Sequence, residues 1–265
     1  MSYDANEDPE SWRYGVLDPG GGSGMSREHR LIASGSKVLA MRFADRLSDT
    51  CRALLNDATV IVHGSLALGD FRPGKSDVDL LVISDAPTDG LVEAIEREWK
   101  AEPMNLDLRV VTRSSAARPT RAPHMALYIS LTEEHGLYVE RDKDEPDLVI
   151  EFSVCRQLDH TDVIGIVPHE WVDAVGSDVV ERWKRIGYDP PHQELMALTA
   201  CRVWRFREER IHCSKPAAAA WAQARGVQVA FDHESVRALL AHASASPRQR
   251  QATRNPGSVG VQGRL

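Results

Sequence analysis

The sequence predicts an α+β protein, a small mixed sheet with its helices followed by an α-helical bundle. Three observations carry this. Three short β-branched runs, 58–62, 77–83 and 106–112, are separated by stretches of helical period. Strand signals then fade near Pro146. Beyond it, segments of helical period have Pro146, Pro168, Pro190, Pro191 and Pro216 near their starts, where a missing N–H costs least.

Residues 1–24 are polar and acidic and end in Gly20-Gly21-Gly22-Ser23-Gly24, which reads as a disordered leader. Met25 follows directly, so a shorter start is open. Residues 27–56 space Leu31, Val38, Leu39, Met41, Phe43, Ala44, Leu47, Cys51, Leu54 and Leu55 as a long amphipathic helix does. A buried strand over 58–62, a turn-rich stretch over 64–76 and a second strand over 77–83 come next. A helix over 91–100 and an alternating strand over 106–112 complete the sheet half, placed at 25–145. Helices over 147–158, 170–186, 191–210 and 215–225 build the second domain, 146–242. Residues 243–265 lack Asp and Glu, carry several Arg among Ser, Gly and Pro, and read as a disordered tail.

Composition bounds the function. Of 265 residues 42% are hydrophobic and 27% charged, which excludes a collagen-like, coiled-coil or wholly disordered chain. A formal net charge of -7 argues against a protein that coats nucleic acid, but leaves room for a nucleotide in a local positive site. Cys51, Cys155, Cys201 and Cys213 form no C-x-x-C pair and no zinc spacing, so a reduced, cytoplasmic setting is expected. No apolar run suits a membrane span, and the acidic N-terminus lacks the features of a signal peptide.

The chemistry lies in Val62-His-Gly-Ser-Leu-Ala-Leu-Gly-Asp-Phe-Arg-Pro-Gly-Lys-Ser-Asp-Val-Asp-Leu-Leu-Val82. Gly69 to Ser76 spells a P-loop, G-x-x-x-x-G-K-S. That loop works only directly after a strand and at the start of a helix, whose N–H groups face the phosphates. Here the upstream strand ends early and a β-branched run follows, so the letters lack their context. A second reading uses Gly64, Ser65, Asp77 and Asp79. Alternate strand residues share a face, so the two carboxylates project together and repel unless a cation lies between them. Mg²⁺ takes such carboxylates together with substrate phosphates. Gly64 lets the backbone approach a phosphate and Ser65 can donate to it. Asp107 on the next strand can reach the same place and activate a hydroxyl. An isolated D-x-D more often lies on a solvated sheet face; the Gly-Ser, the apolar strand and the third acid argue against that here.

These residues resemble the nucleotidyltransferase superfamily, with its hG[GS]…Dh[DE]h signature. More narrowly, the chain resembles the aminoglycoside 3''-adenylyltransferases of streptomycin and spectinomycin resistance. The likeness rests on His63-Gly-Ser-Leu through Ser76-Asp-Val-Asp-Leu-Leu-Val82, on Leu106-Asp-Leu-Arg-Val, and on Leu198-Thr-Ala-Cys-Arg-Val-Trp204 continuing to Ser214-Lys-Pro-Ala-Ala-Ala-Ala-Trp221. It implies a nucleotidyltransferase domain, a helical domain and an active site between them. It also implies AMP transfer from ATP to a hydroxyl of a small cationic acceptor, with pyrophosphate released. On it, Asp77 and Asp79 fall on the Mg²⁺ ligands and Asp107 on the base. Ser65, Ser76, Arg202 and Lys215 fall on phosphate contacts, beside Gly64. His192 and Glu194 fall at the acceptor. The sequence departs from the family in four places. Asp107 stands where Glu is usual, the loop before Asp77 is one residue longer, Met125–Leu131 offers no match for the drug-site tryptophan, and the drug-binding aspartate falls on or near His192, with Glu194 beside it. A monomer without nucleic-acid or membrane partners is expected. Two alternatives stay open: another small-molecule or protein acceptor, and a nucleotide-binding module without turnover.

Overall fold

The computed structural model describes residues 27–245, and the expected leader and nearly all of the expected tail lie outside them. The architecture is α+β. Five strands form one sheet in sequence order: β1 (Thr59–Val62), β2 (Val78–Ile83), β3 (Leu106–Val111), β4 (His124–Thr132) and β5 (Gly136–Asp144). Only the β2–β3 pair is parallel; the other pairs are antiparallel. Parallel strands need a crossover, and α3 (Leu91–Ala101) supplies it.

The periodicity of the sequence places one face of this sheet in the core. Val78, Leu80 and Val82 of β2, Leu106, Leu108 and Val110 of β3, and Leu127, Ile129 and Leu131 of β4 cluster with Leu91 and Ile95 of α3. Against them lies α1 (Arg27–Leu54), which buries Ala40, Phe43, Ala44, Leu47 and Cys51. That stripe follows the i, i+3, i+4, i+7 rule. Val38, Leu39, Met41 and Leu54, counted in the sequence as part of the same face, are instead exposed because they fall off it.

Three features escape the sequence pattern. The β4–β5 hairpin lies where the sequence suggests no element. β4 buries Met125, Leu127, Ile129 and Leu131 on one face and Tyr128 on the other, and β5 is a charged edge strand. Two one-turn helices, α2 (Gly64–Ala67) and α4 (Arg113–Ala117), fall in stretches read as loop or left unassigned. The Thr112 side chain caps α4 by accepting from Ser115 N.

The described chain divides into two compact units. One runs through Val175 and takes in His212–Ser214, beyond the expected boundary at 145; the other holds Gly176–Ile211 and the residues from Lys215 on. The first unit thus contains α5 (Leu148–Gln157). Gln157 fastens the 212–214 segment to it: its side chain donates to His212 O at 2.8 Å and accepts from His212 N at 2.6 Å. The break falls inside α6 (His169–Ile186).

The second unit is built on α7 (Gln193–Glu209), packed by α8 (Lys215–Gln223) and α9 (His233–Ser244). α9 extends two residues into the expected tail. Trp204 meets Trp221 edge-on at 4.9 Å and stacks on His242 at 4.9 Å. The aromatics of the Arg-rich run after Arg202 therefore face inward. No helix among the described residues is long and apolar enough to cross a membrane. All four cysteines are free and buried.

Candidate active site

The second face of the same sheet carries charge. β2 and β3 run in register, so Asp79 stands directly beside Asp107. Two residues on, Arg109 shares the Asp107 face, and β4 places Tyr128 opposite Arg109. At the end of β1, His63 N donates to Asp79 O at 3.1 Å, which sets the following turn against β2. Gly64 turns the chain with φ +60, a left-handed conformation that favours glycine. Its missing side chain also matters. A Cβ there would stand 1.7 Å from Asp79 Oδ2, so the carboxylate occupies the space that any larger residue would fill.

The resulting electrostatics are unusual for a sheet. Burial pushes the Asp79 carboxyl well above the usual carboxylate range, and Asp107, Asp77 and Glu151 push it further, with Arg109 opposing. Glu151 reaches this face from α5. It accepts a hydrogen bond from Arg109, and burial raises its own carboxyl to about 7. Arg109 stays charged, its guanidinium 4.8 Å from the Tyr128 ring centroid. The Tyr128 hydroxyl donates to Asp107 Oδ1 at 2.8 Å. His63, 3.8 Å from Glu151 through Nε2, is held neutral because burial and Arg109 lower it to about 3. One guanidinium thus faces several carboxylates, and acidic charge is left over.

That surplus is the test of whether a cation belongs here. No three of His, Cys, Asp and Glu among the described residues form a ready-made metal cage. Asp77 and Asp79 are instead half of a hard-oxygen set, the half that Mg²⁺ usually takes from protein before phosphate oxygens and water complete its shell. The residues present fit the ion. A phosphate has a waiting donor too: Ser65 Oγ is buried and lacks a hydrogen-bond partner.

The P-loop letters take a different shape. Ser76 Oγ accepts from Arg72 N at 3.0 Å, and Ser76 N donates to Arg72 O at 2.9 Å, closing a local turn. β2 begins two residues after Ser76, and no helix follows.

Gly64, Ser65, Ser76, Asp77, Asp79 and Asp107 all belong to the first unit. Arg202 on α7, Lys215 at the start of α8, and His192 and Glu194 beside the α7 N-terminus belong to the second. There His192 Nδ1 pairs with Asp189 Oδ2 at 2.6 Å. Glu151 and Tyr128 were not found from sequence. The available signal was Arg109: a cation spaced two residues from Asp107 on a buried strand requires a counter-charge.

The nucleotidyltransferase domain family matches residues 44–160, which span β1 through α5. A search of curated protein sequences finds no relative. Among solved structures, the chain is similar to a spectinomycin adenyltransferase from Enterococcus faecialis, solved with ATP and spectinomycin. The TM-score is 0.60 at 16% identity, covering 77% of this chain and 99% of that one. A cytoplasmic RNA terminal U-transferase also matches, at 12% identity over 78% of this chain and 48% of that one, with a TM-score of 0.25.

Proposed function

We propose that this chain, a transferase whose residues 44–160 carry a nucleotidyltransferase domain, moves AMP from ATP to a hydroxyl of an aminoglycoside-like acceptor. The observation that carries the reading is the Asp79–Asp107 register pair, set against Gly64 and next to a buried serine hydroxyl without a partner. Supporting it, the fold is shared with a spectinomycin adenyltransferase solved with ATP and spectinomycin.

Asp77 and Asp79 would hold Mg²⁺. When bound, the ion neutralises the triphosphate and fixes its oxygens for in-line attack. Ser65 donates to a phosphate oxygen, and Ser76 lends its hydroxyl hydrogen to another. By the sequence resemblance, Arg202 and Lys215 would take up the charge of the departing pyrophosphate. Asp107 accepts the proton of the acceptor hydroxyl. The acceptor oxygen then forms a bond to the α-phosphorus, the bond from that phosphorus to the β-bridging oxygen breaks, and pyrophosphate leaves. His192, with Asp189 as its partner, and Glu194 meet the acceptor. A chain of net charge -7 favours a cationic one.

Incubating the protein with ATP, Mg²⁺ and a panel of aminoglycosides, followed by mass spectrometry, tests this. An acceptor heavier by one AMP is expected, and Asp107→Asn should reduce its formation by at least ~100-fold. AMP appearing only on acceptors of other chemistry would reject the aminoglycoside class. ATP left intact with every acceptor would reject adenylyl transfer.

A further inference from the structure

We infer that Tyr128 is a positioning residue for Asp107, and that the buried Arg109–Glu151 pair holds Tyr128 in place. The inference rests on Asp107 being the base in the proposed reaction.

A carboxylate on one methylene has a broad, roughly two-fold torsion next to its oxygens, and either oxygen can face the acceptor. The Tyr128 hydroxyl removes that ambiguity. It donates to Oδ1 at 2.8 Å, so Oδ2 is the oxygen left to take a proton. The phenol stays a donor across the working pH range, because burial and Asp107 both push its ionisation upward.

The tyrosine is itself fixed from two sides. Tyr128 is 1% exposed. The Arg109 guanidinium lies 4.8 Å from the ring centroid, and Tyr138 of β5 meets it edge-on at 6.0 Å. Arg109 cannot swing away, because Glu151 of α5 holds it. Strands β3 and β5, and helix α5 through Arg109, therefore hold one phenol ring of β4. A buried ion pair is weak as a source of stability, since the desolvation of both ions offsets their attraction. Its retention behind the carboxylates is explained if its work is to orient Tyr128 and hence Asp107.

Tyr128→Phe removes a single oxygen and keeps the ring, its packing and the Arg109 contact. With the acceptor found above, kcat should fall about 10-fold, the loss expected for one hydrogen bond to a charged group. KM for ATP should stay within about twofold, since the nucleotide contacts are untouched, and the melting temperature should fall by no more than about 4 °C, the shift expected for roughly 1 kcal/mol from the lost buried hydrogen bond. In an Asp107→Asn background the same change should cost less than about twofold, because no base remains to be oriented. An unchanged kcat in Tyr128→Phe would overturn the inference. So would a raised KM, or a melting temperature lowered by more than about 4 °C, which would mark a structural role. Both outcomes leave adenylyl transfer by the wild type intact. A wild type that transfers no AMP would instead remove the base, and with it the need to position one.

Discussion

The two faces of the sheet are made from alternate residues of the same strands, yet they obey opposite rules. On one face Leu80, Leu108 and Ile129 are fully buried against α1 and α3. On the other, their neighbours Asp79, Arg109 and Tyr128 crowd charge and hydroxyl groups beneath α5. The first face lowers the free energy of the fold through apolar burial. The second raises it, since like charges are brought together out of water. A strand whose register slipped by one residue would exchange the two faces. The apolar face therefore positions the acids, and the acids could not be gathered without it.

The comparison is broken most severely at Gly64, where the polar face is closest packed. Gly64→Ala places a Cβ where Asp79 Oδ2 now lies and strains a backbone at φ +60. Asp79 must move, and a displacement of that scale at a reacting site costs on the order of 100-fold in rate. Transfer assays on Gly64→Ala should show at least that loss; near-normal turnover would mean that the Asp79 contact is dispensable. On the opposite face, Leu80→Ala should lower stability by about 2–5 kcal/mol through lost burial and a cavity. Its remaining folded fraction should keep a near wild-type rate. Denaturant unfolding paired with kinetics separates the two outcomes. A rate loss in Leu80→Ala beyond its unfolded fraction would show that the faces are not independent.

This division also explains what could be read from the sequence. The apolar alternation of β2 and β3, together with the Gly64-Ser65 and Asp77-x-Asp79 spacing, is local, and each part follows from a period or a motif. The β4–β5 hairpin was hidden because Ala126 and Tyr128 fill the gaps between the core residues of β4, making Met125–Ile129 one continuous apolar run, and β5 is charged along its edge. Glu151 was hidden for another reason. It lies 42 residues from Arg109 along the chain, and no period or spacing joins a helix residue to a strand residue across such a gap. Tyr128 was within view in the Met125–Leu131 stretch, but its partner Asp107 is a neighbour only once β3 and β4 pair. Sequence thus made legible the groups proposed to act on substrate and left out those that hold them.

The smallest expected effect is thermodynamic, and its sign is opposite to that of Leu80→Ala. Folding raises the carboxyl of Asp79 from its ordinary 3.8, and that of Glu151 from 4.5 to about 7. Across that interval the folded chain binds more protons than the unfolded chain, so the contribution of these groups to stability falls as pH rises. Asp79→Asn removes one of the opposed charges while nearly preserving shape. At pH 8 it should raise the melting temperature by about 2–4 °C, the shift expected for roughly 1 kcal/mol. Near pH 4, where Asp79 is protonated in the folded chain, the two proteins should melt together. Mg²⁺ added in excess should lift the wild type towards the variant at pH 8 and move the variant much less, because Asp79 supplies one of the two carboxylates that would hold the ion. A variant less stable than the wild type at pH 8 without metal would mean that Arg109 already compensates Asp79. The surplus of acidic charge on which the cation site rests would then be absent.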